Sequence, residues 1–117
     1  MSENKLNIDE ANLSVDLSDA TQAVKDSRFQ DAIKGLKVIL KDHPDNIDTL
    51  YLAAVSSRFL KQFDDAKKYI EALLLNAPDM GRAYQELGHL NRDMGNKEKA
   101  IRHYRQACEH NPALVAS

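Results

Sequence analysis

The sequence predicts an all-α protein built from three repeats of a two-helix hairpin. Pro44, Pro78 and Pro112 recur every 34 residues. Proline cannot continue a helix, because it lacks a backbone N–H and its ring clashes with the preceding turn. An alanine stands twelve residues before each proline and a large residue eight before it: Ala32, Ala66 and Ala100, then Leu36, Ile70 and Tyr104. A fixed period of this length predicts a repeat architecture.

The first helix is predicted to begin near residue 10, after a flexible leader at residues 1–9, because terminal segments are poorly ordered unless tied down. One apolar stripe then follows, at spacings of four, three and four residues: Leu13, Leu17, Ala20 and Val24. Asp16 and Asp19 lie off this stripe, where inner repeats carry apolar residues. A terminal repeat needs a polar outer face, so we expect this helix to cap the array.

The remaining helices follow from the turns between them. Asp26 to Arg28 forms a turn before the second helix, which ends before Pro44, and Asp45 or Asn46 is expected to cap the third helix. Glycine adopts left-handed conformations readily and asparagine is a good N-cap, so Gly95 and Asn96 predict the last turn. The predicted spans of the later helices are 47–60, 63–76, 81–94 and 97–110.

The stretch from Arg82 to Pro112 carries most of the repeat pattern in one piece: Tyr84, Leu87, Gly88, Ala100, Tyr104 and Pro112. It resembles the tetratricopeptide repeat (TPR) family, with repeats at 13–46, 47–80 and 81–114 inside a domain at 10–114. The resemblance implies a right-handed superhelical α-solenoid of three helix hairpins. It also implies close helix approach at three small residues, which are Ala20, Ala54 and Gly88. Asp16 replaces the large aromatic residue that the family carries early in its first helix.

Composition excludes several classes of function. The chain has 117 residues, is 43% hydrophobic and 29% charged, and has a net charge of −2, which is typical of a soluble protein. No apolar run approaches the roughly 20 residues that a membrane span needs. The polar, acidic N-terminus is not a secretory signal, and the near-neutral charge argues against nucleic-acid binding. The single Cys108 excludes an internal disulfide and favours a cytoplasmic location.

No catalytic, cofactor or metal site is predicted. Metal sites need clusters of Cys or His, and the chain has one Cys and four scattered His. His89 and Asp93 could form a base–carboxylate pair, but a polar groove wall is the favoured interpretation. Phosphate-binding loops, nucleophile elbows and HExxH motifs are absent from the sequence. We therefore expect that this chain alone is not an enzyme.

The TPR resemblance implies that the first helix of each hairpin lines a concave groove that binds a protein or peptide partner. In the family's register the second and third repeats place a mixture of aromatic, aliphatic and charged residues there: Tyr51, Val55, Arg58, Phe59, Arg82, Gln85, Glu86, His89 and Arg92. Aromatic and arginine side chains dominate binding hot spots. In the alternative interpretation, Phe59 fills a turn and the arginines pair with Glu86 and Asp93.

The same register disfavours one class of partner. Chaperone-binding TPR domains hold a terminal carboxylate with Lys, Asn and Arg side chains. The matching positions here are Leu17, Thr21, Leu52, Arg82 and Glu86. Arg82 alone has the required charge, and Glu86 would repel a carboxylate.

The C-terminal end leaves two alternatives open. Residues 115–117 are predicted to be the truncated start of a further helix, and Ile101, Tyr104 and Cys108 would then lack part of their cover. Either the sequence is a fragment of a longer protein, which is favoured, or this end pairs with another chain. Self-association through the open end is expected because exposed apolar patches attract partners.

Two alternative functions also remain open. Tyr84 to His89, with Asn111 to Leu114, look like bacterial TPR segments that precede sulfotransferase-like domains. In that case the chain is an N-terminal scaffold and catalysis lies downstream. The other alternative is a purely structural spacer, which predicts that the groove has no ligand.

Overall fold

The computed structural model describes the backbone of residues 2–116 and the side chains of residues 13 and 15–114. Six α-helices and a short 3₁₀ helix, Pro112–Ala116, account for this part of the chain, which contains no strand. The α-helices are α1 (Ser2–Lys25), α2 (Phe29–Asp42), α3 (Ile47–Phe59), α4 (Phe63–Asn76), α5 (Gly81–Asp93) and α6 (Lys97–His110). The all-α prediction of three helix hairpins is confirmed.

The prolines end the second helix of each hairpin, as predicted. These helices end at Asp42, Asn76 and His110, two residues before each proline. At the start of α3, the Asn46 side chain accepts hydrogen bonds from the Thr49 backbone N–H at 2.9 Å and from the Thr49 hydroxyl at 2.7 Å. Asn46 is therefore the N-cap that the sequence left open between two residues.

The turns inside the three hairpins share one backbone conformation. Ser27, Lys61 and Gly95 are spaced 34 residues apart and have φ values of 60°, 61° and 85°. This left-handed conformation is the usual way to end a helix, and it suits glycine best. The prediction that Asn96 caps α6 is wrong, since its side chain makes no capping hydrogen bond at φ −91° and ψ 71°.

Helix α1 begins at Ser2, eight residues before the expected start. The segment from residue 2 to residue 12 contains no glycine or proline, so nothing in its sequence interrupts a helix. The side chains that would show whether this segment packs on the repeats lie outside the described residues. The division into a leader and a repeat domain therefore stays a prediction, as does a further helix at 115–117, where the 3₁₀ helix runs to Ala116.

The helices stack so that α1, α3 and α5 form the inner layer. Helix α3 contacts α1, α2, α4 and α5. In contrast, within the described chain no Cα atoms of α2 and α4, or of α4 and α6, lie within 8 Å of each other. A stack whose first helices approach each other while its second helices spread apart is concave on the side of the first helices. We call this concave surface of α1, α3 and α5 the groove.

Small residues permit the close approach of helices within each hairpin. Ala20 and Ala54 are buried at 5% and 0% exposure. At the third equivalent position, a Cβ atom added to Gly88 would lie 2.6 Å from the Tyr104 ring, which is closer than real contacts allow. Glycine is therefore required at position 88 because α6 carries a tyrosine where α2 and α4 carry Leu36 and Ile70.

Candidate binding surface

A buried ion-pair network joins the second repeat to the third. The Arg58 guanidinium on α3 donates to the Glu86 carboxylate on α5 through Nε at 2.6 Å and Nη2 at 3.1 Å. Its Nη1 donates to Asp93 at 3.0 Å, and Arg92 also binds the Asp93 carboxylate at 3.1 Å. We call these four residues the Arg58 network. The Arg58 and Glu86 side chains are 7% and 3% exposed, so this pair holds the repeats together rather than facing solvent.

Burial and charge act in opposite directions on this network. Burial raises the pKa of the Glu86 carboxyl, and the hydrogen bonds and charge of Arg58 oppose that rise. Burial would lower the pKa of Arg58, but the Glu86 and Asp93 carboxylates outweigh it and raise the pKa above its usual value. At Asp93 partial burial is outweighed by the bonds from Arg58 and Arg92, which hold the pKa below its usual range. The bidentate geometry is that of a charged pair.

Tyr51 and Arg82 lie on adjacent inner helices beside this network. Tyr51 is half-buried, and burial, followed by the Glu86 charge, raises the pKa of its phenol, while Arg82 and Arg58 lower it. Among the described residues, no hydrogen bond engages the Tyr51 hydroxyl and no carboxylate pairs with the exposed Arg82. Two hydrogen-bonding groups of the groove are therefore available to a ligand.

Phe59 lies at the end of α3, where it stacks on the first residue of α2. The rings of Phe29 and Phe59 are parallel, with centroids 4.6 Å apart, and the Arg58 guanidinium carbon lies 4.5 Å from the Phe59 centroid. Phe59 nevertheless remains 53% exposed. Phe59 therefore joins the first and second repeats through its stack on Phe29, a contact that neither of the interpretations from the sequence included.

His89 and Gln85 line a separate cleft at the C-terminal end. The His89 Nδ1 lies 2.7 Å from the Tyr104 hydroxyl, and the two rings pack edge to face. Burial, then the charges of Arg58 and Arg92, lower the pKa of His89. The cleft has a volume of about 420 Å³ and is lined by Gln85, His89, Arg92, Tyr104, Ala107, Cys108 and Leu114. The suggested pairing of His89 with Asp93 does not form; Tyr104 is its partner.

The three arginines of the predicted site do not converge. Arg58 and Arg92 share Asp93, whereas Arg82 lies ten residues earlier on α5, or about 15 Å along a helix. The sequence did not assign Phe29 to the site, and it left open whether Arg58 faces a ligand or pairs with Glu86 and Asp93; in the structure it pairs with both. The signal that could have revealed this pair is a positive and a negative residue 28 positions apart, six fewer than the repeat length.

The described residues contain neither a metal-binding cluster nor a helix suited to cross a membrane. No three His, Cys, Asp or Glu side chains come together in a way that could hold a metal ion. In the part of the chain that the structure describes, no helix combines the length and the apolar character that crossing a membrane requires.

Comparison with known families identifies the repeats. Two family models, both described as tetratricopeptide repeat, match residues 23–88 and 81–114. The chain belongs to the tetratricopeptide repeat family. TPR domains are typically modules for protein–protein interaction, and the chain carries such a module. No curated protein sequence matched it significantly.

Solved structures of MamA share the fold. A MamA crystal structure superposes with a TM-score of 0.82 at 19% identity, over 97% of this chain and 67% of that one. MamA of AMB-1 gives 0.78 at 22%, over 95% and 66%, and MamA 41-end from Desulfovibrio magneticus RS-1 gives 0.76 at 23%, over 86% and 56%. The chain thus spans about two thirds or less of these proteins, and the likeness shows the fold alone.

Proposed function

We propose that the chain binds a peptide or an extended segment of a partner protein in the groove. The observation that carries this proposal is the placement of Tyr51 and Arg82 on adjacent inner helices, near enough for the Arg82 charge to lower the pKa of the Tyr51 phenol. Both offer hydrogen-bond donors that no described residue engages. Such donors suit the carbonyl or carboxylate oxygens of a peptide.

The Arg58 network holds the two helices that carry Tyr51 and Arg82 in place. Because Arg58 and Glu86 are buried against each other, they fix the spacing of α3 and α5 without taking part in ligand contact. A rigid spacing lowers the entropy that a ligand loses on binding. Val55 is half-buried on α3, one helical turn after Tyr51, and supplies apolar contact on the same helix.

Ligand chemistry follows from the charges that remain. Arg82 is exposed and favours a ligand with a carboxylate or an exposed carbonyl near its binding position. Glu86 does not repel such a group in full, since Arg58 binds both of its oxygens. The proposed ligand is therefore a peptide with mixed polar and apolar character.

The test compares the wild-type chain with a Tyr51→Phe/Arg82→Gln variant in affinity capture from a matched lysate. This variant retains the ring and most of the side-chain length, so equal helicity by circular dichroism is expected. A Lys34→Ala/Lys37→Ala variant, altered at exposed sites on α2, is the control.

A partner held by the wild type and the control is expected to bind the groove variant at least about tenfold more weakly, as hot-spot residues require. Titration calorimetry with the purified partner measures this loss. Equal binding to all three proteins would overturn the groove proposal, and capture by none of them would count against it in favour of a structural spacer.

A further inference from the structure

The junction between the second and third repeats shows what each repeat presents to the next one. On the second repeat, Arg58 pairs with Glu86 of α5, while Ile70 and Leu73 belong to apolar clusters that include Leu90 and Ala83 of α5. The residues of α5 that enter this junction form one helical stripe: Ala83, Glu86, Leu87 and Leu90. The second repeat therefore binds a helix that presents a small residue, a glutamate and two apolar residues at this spacing.

The third repeat presents an equivalent face that no described α-helix covers, although Leu114 of the 3₁₀ helix lines part of it. Adding 34 to the positions of Tyr51, Arg58, Ile70, Leu73 and Leu74 gives Gln85, Arg92, Tyr104, Ala107 and Cys108. These five residues are among those that line the 420 Å³ cleft. We call them the end face. The cleft is thus the counterpart, one repeat later, of the surface that binds α5.

Arg92 occupies the position of Arg58 but lacks its main partner. Its side chain is 56% exposed, and in the described chain its carboxylate contact is Asp93, which Arg58 shares. Arg58, by comparison, donates hydrogen bonds to both carboxylate oxygens of Glu86 as well as to Asp93. By repeat symmetry, a carboxylate on an incoming helix would complete the Arg92 site.

We propose that the end face binds an amphipathic helix of a partner protein, with a glutamate placed against Arg92 and a large apolar residue three positions before it. The large residue follows from volume. At the junction of the second and third repeats, Leu73 packs in one cluster with the small Ala83 of α5. The end face has the smaller Ala107 at the position of Leu73, so the incoming helix must supply a side chain larger than alanine to fill the cleft.

A second copy of this chain fits the end face poorly in the same register. Its α1 would place Ser18 at the position of Glu86 and Lys25 at the position of Asp93. Neither side chain neutralises Arg92, and Lys25 repels it. The charge pattern therefore favours a foreign acidic helix over self-association.

The test uses a cross-linked helical peptide with the sequence of residues 81–94, in which leucine replaces the equivalent of Ala83. Cross-linking is needed because an isolated helix of this length is marginal in water. Fluorescence anisotropy with the full chain is expected to show binding that Arg92→Glu weakens at least about 30-fold, as loss of a buried charge pair requires. A peptide with lysine in place of its glutamate should restore binding to the Arg92→Glu chain.

Arg102→Glu makes the same charge change at an exposed site on α6 outside the end face and the groove, and it should leave peptide affinity within about twofold of the wild-type value, since distant sites act independently. Arg82→Glu separates this proposal from the groove, because a loss of peptide affinity in that variant would mean that the peptide binds the groove and would overturn the proposal. Absence of peptide binding, or equal binding to wild type and Arg92→Glu, would overturn the proposal. Concentration-dependent dimerisation that Arg92→Glu abolishes would overturn it in favour of a second copy.

Discussion

The two junctions between repeats use the same positions for opposite chemistry. In the first junction Val24 of α1 and Leu52 of α3 pack against a buried apolar cluster. One repeat later, the same positions hold Arg58 and Glu86, which form a buried bidentate ion pair. The helix arrangement therefore does not depend on which kind of contact fills this place, and the difference concerns energetics.

The apolar junction tolerates change better than the charged one. Loss of one apolar side chain forfeits burial and leaves a cavity, whereas loss of one partner of a buried ion pair leaves an uncompensated charge. A buried ion pair also contributes little net stability over a well-packed apolar pair of similar volume. The Arg58 network therefore provides pairing specificity between the second and third repeats more than it provides stability.

The largest expected effect comes from breaking the charged pair. Glu86→Leu introduces the residue of the first junction while Arg58 stays buried with Asp93 as its remaining partner. We expect the free energy of unfolding to fall by about 3 kcal/mol. Urea denaturation followed by circular dichroism measures this loss.

Restoring an apolar pair is the matched control. Arg58→Met/Glu86→Leu imitates the first junction, with methionine chosen because it approaches the length of arginine. The double variant should recover to within about 1 kcal/mol of the wild type, since no buried charge remains. A double variant as unstable as Glu86→Leu alone would show that the junctions are not interchangeable.

A smaller effect is expected at the turns that precede α4 and α6. Lys61 adopts the left-handed conformation that Gly95 adopts one repeat later. This conformation costs a non-glycine residue about 1 kcal/mol, so Lys61→Gly should raise the free energy of unfolding by up to that amount. Gly95→Lys should lower it similarly. Urea titrations of both variants check the pair, and effects of the same sign would contradict this explanation.

The smallest effect concerns His89, whose pKa is lowered by burial and then by Arg58 and Arg92. Its unfolded pKa is near 6.5. Because the unfolded chain takes up the proton more readily, His89 lowers stability as pH falls through 6.5 towards the folded pKa. An Arg92→Gln variant removes one of these positive charges and keeps the Arg58–Glu86 pair, so NMR titration should show the His89 pKa moving up towards 6.5. An unchanged pKa would mean that the Arg92 charge does not contribute to the shift.

The sequence predicted the helical architecture because the fold depends on periodic features. Pro44, Pro78 and Pro112 end their helices as expected, and Gly88 lies where two helices come closest. The start of α1 was placed too late, because the expectation rested on the general disorder of terminal segments, although no residue of 2–9 breaks a helix. Local signals thus determine where helices end better than where a terminal helix begins.

The binding surface was harder to predict for a different reason. Register arguments place Arg58 and Glu86 on the inner helices, but they do not say whether a side chain points to a ligand or to the next helix. That choice depends on the pairing of two residues in different repeats. Phe59 illustrates the same problem, since its partner Phe29 lies in the preceding repeat and no spacing within one repeat reveals the stack.

The contacts of α3 have a consequence for communication along the chain. In the described structure, no Cα atom of α1 or α2 lies within 8 Å of α4, α5 or α6, so α3 supplies the backbone packing between these two groups of helices. Local unfolding of α3 would therefore leave them joined only by side chains at the margin, such as Tyr69 of α4, which packs against the cluster of the first repeat. Energetic coupling between the first helix and the C-terminal cleft thus depends on α3, which makes α3 the element that determines whether the chain unfolds in one cooperative step.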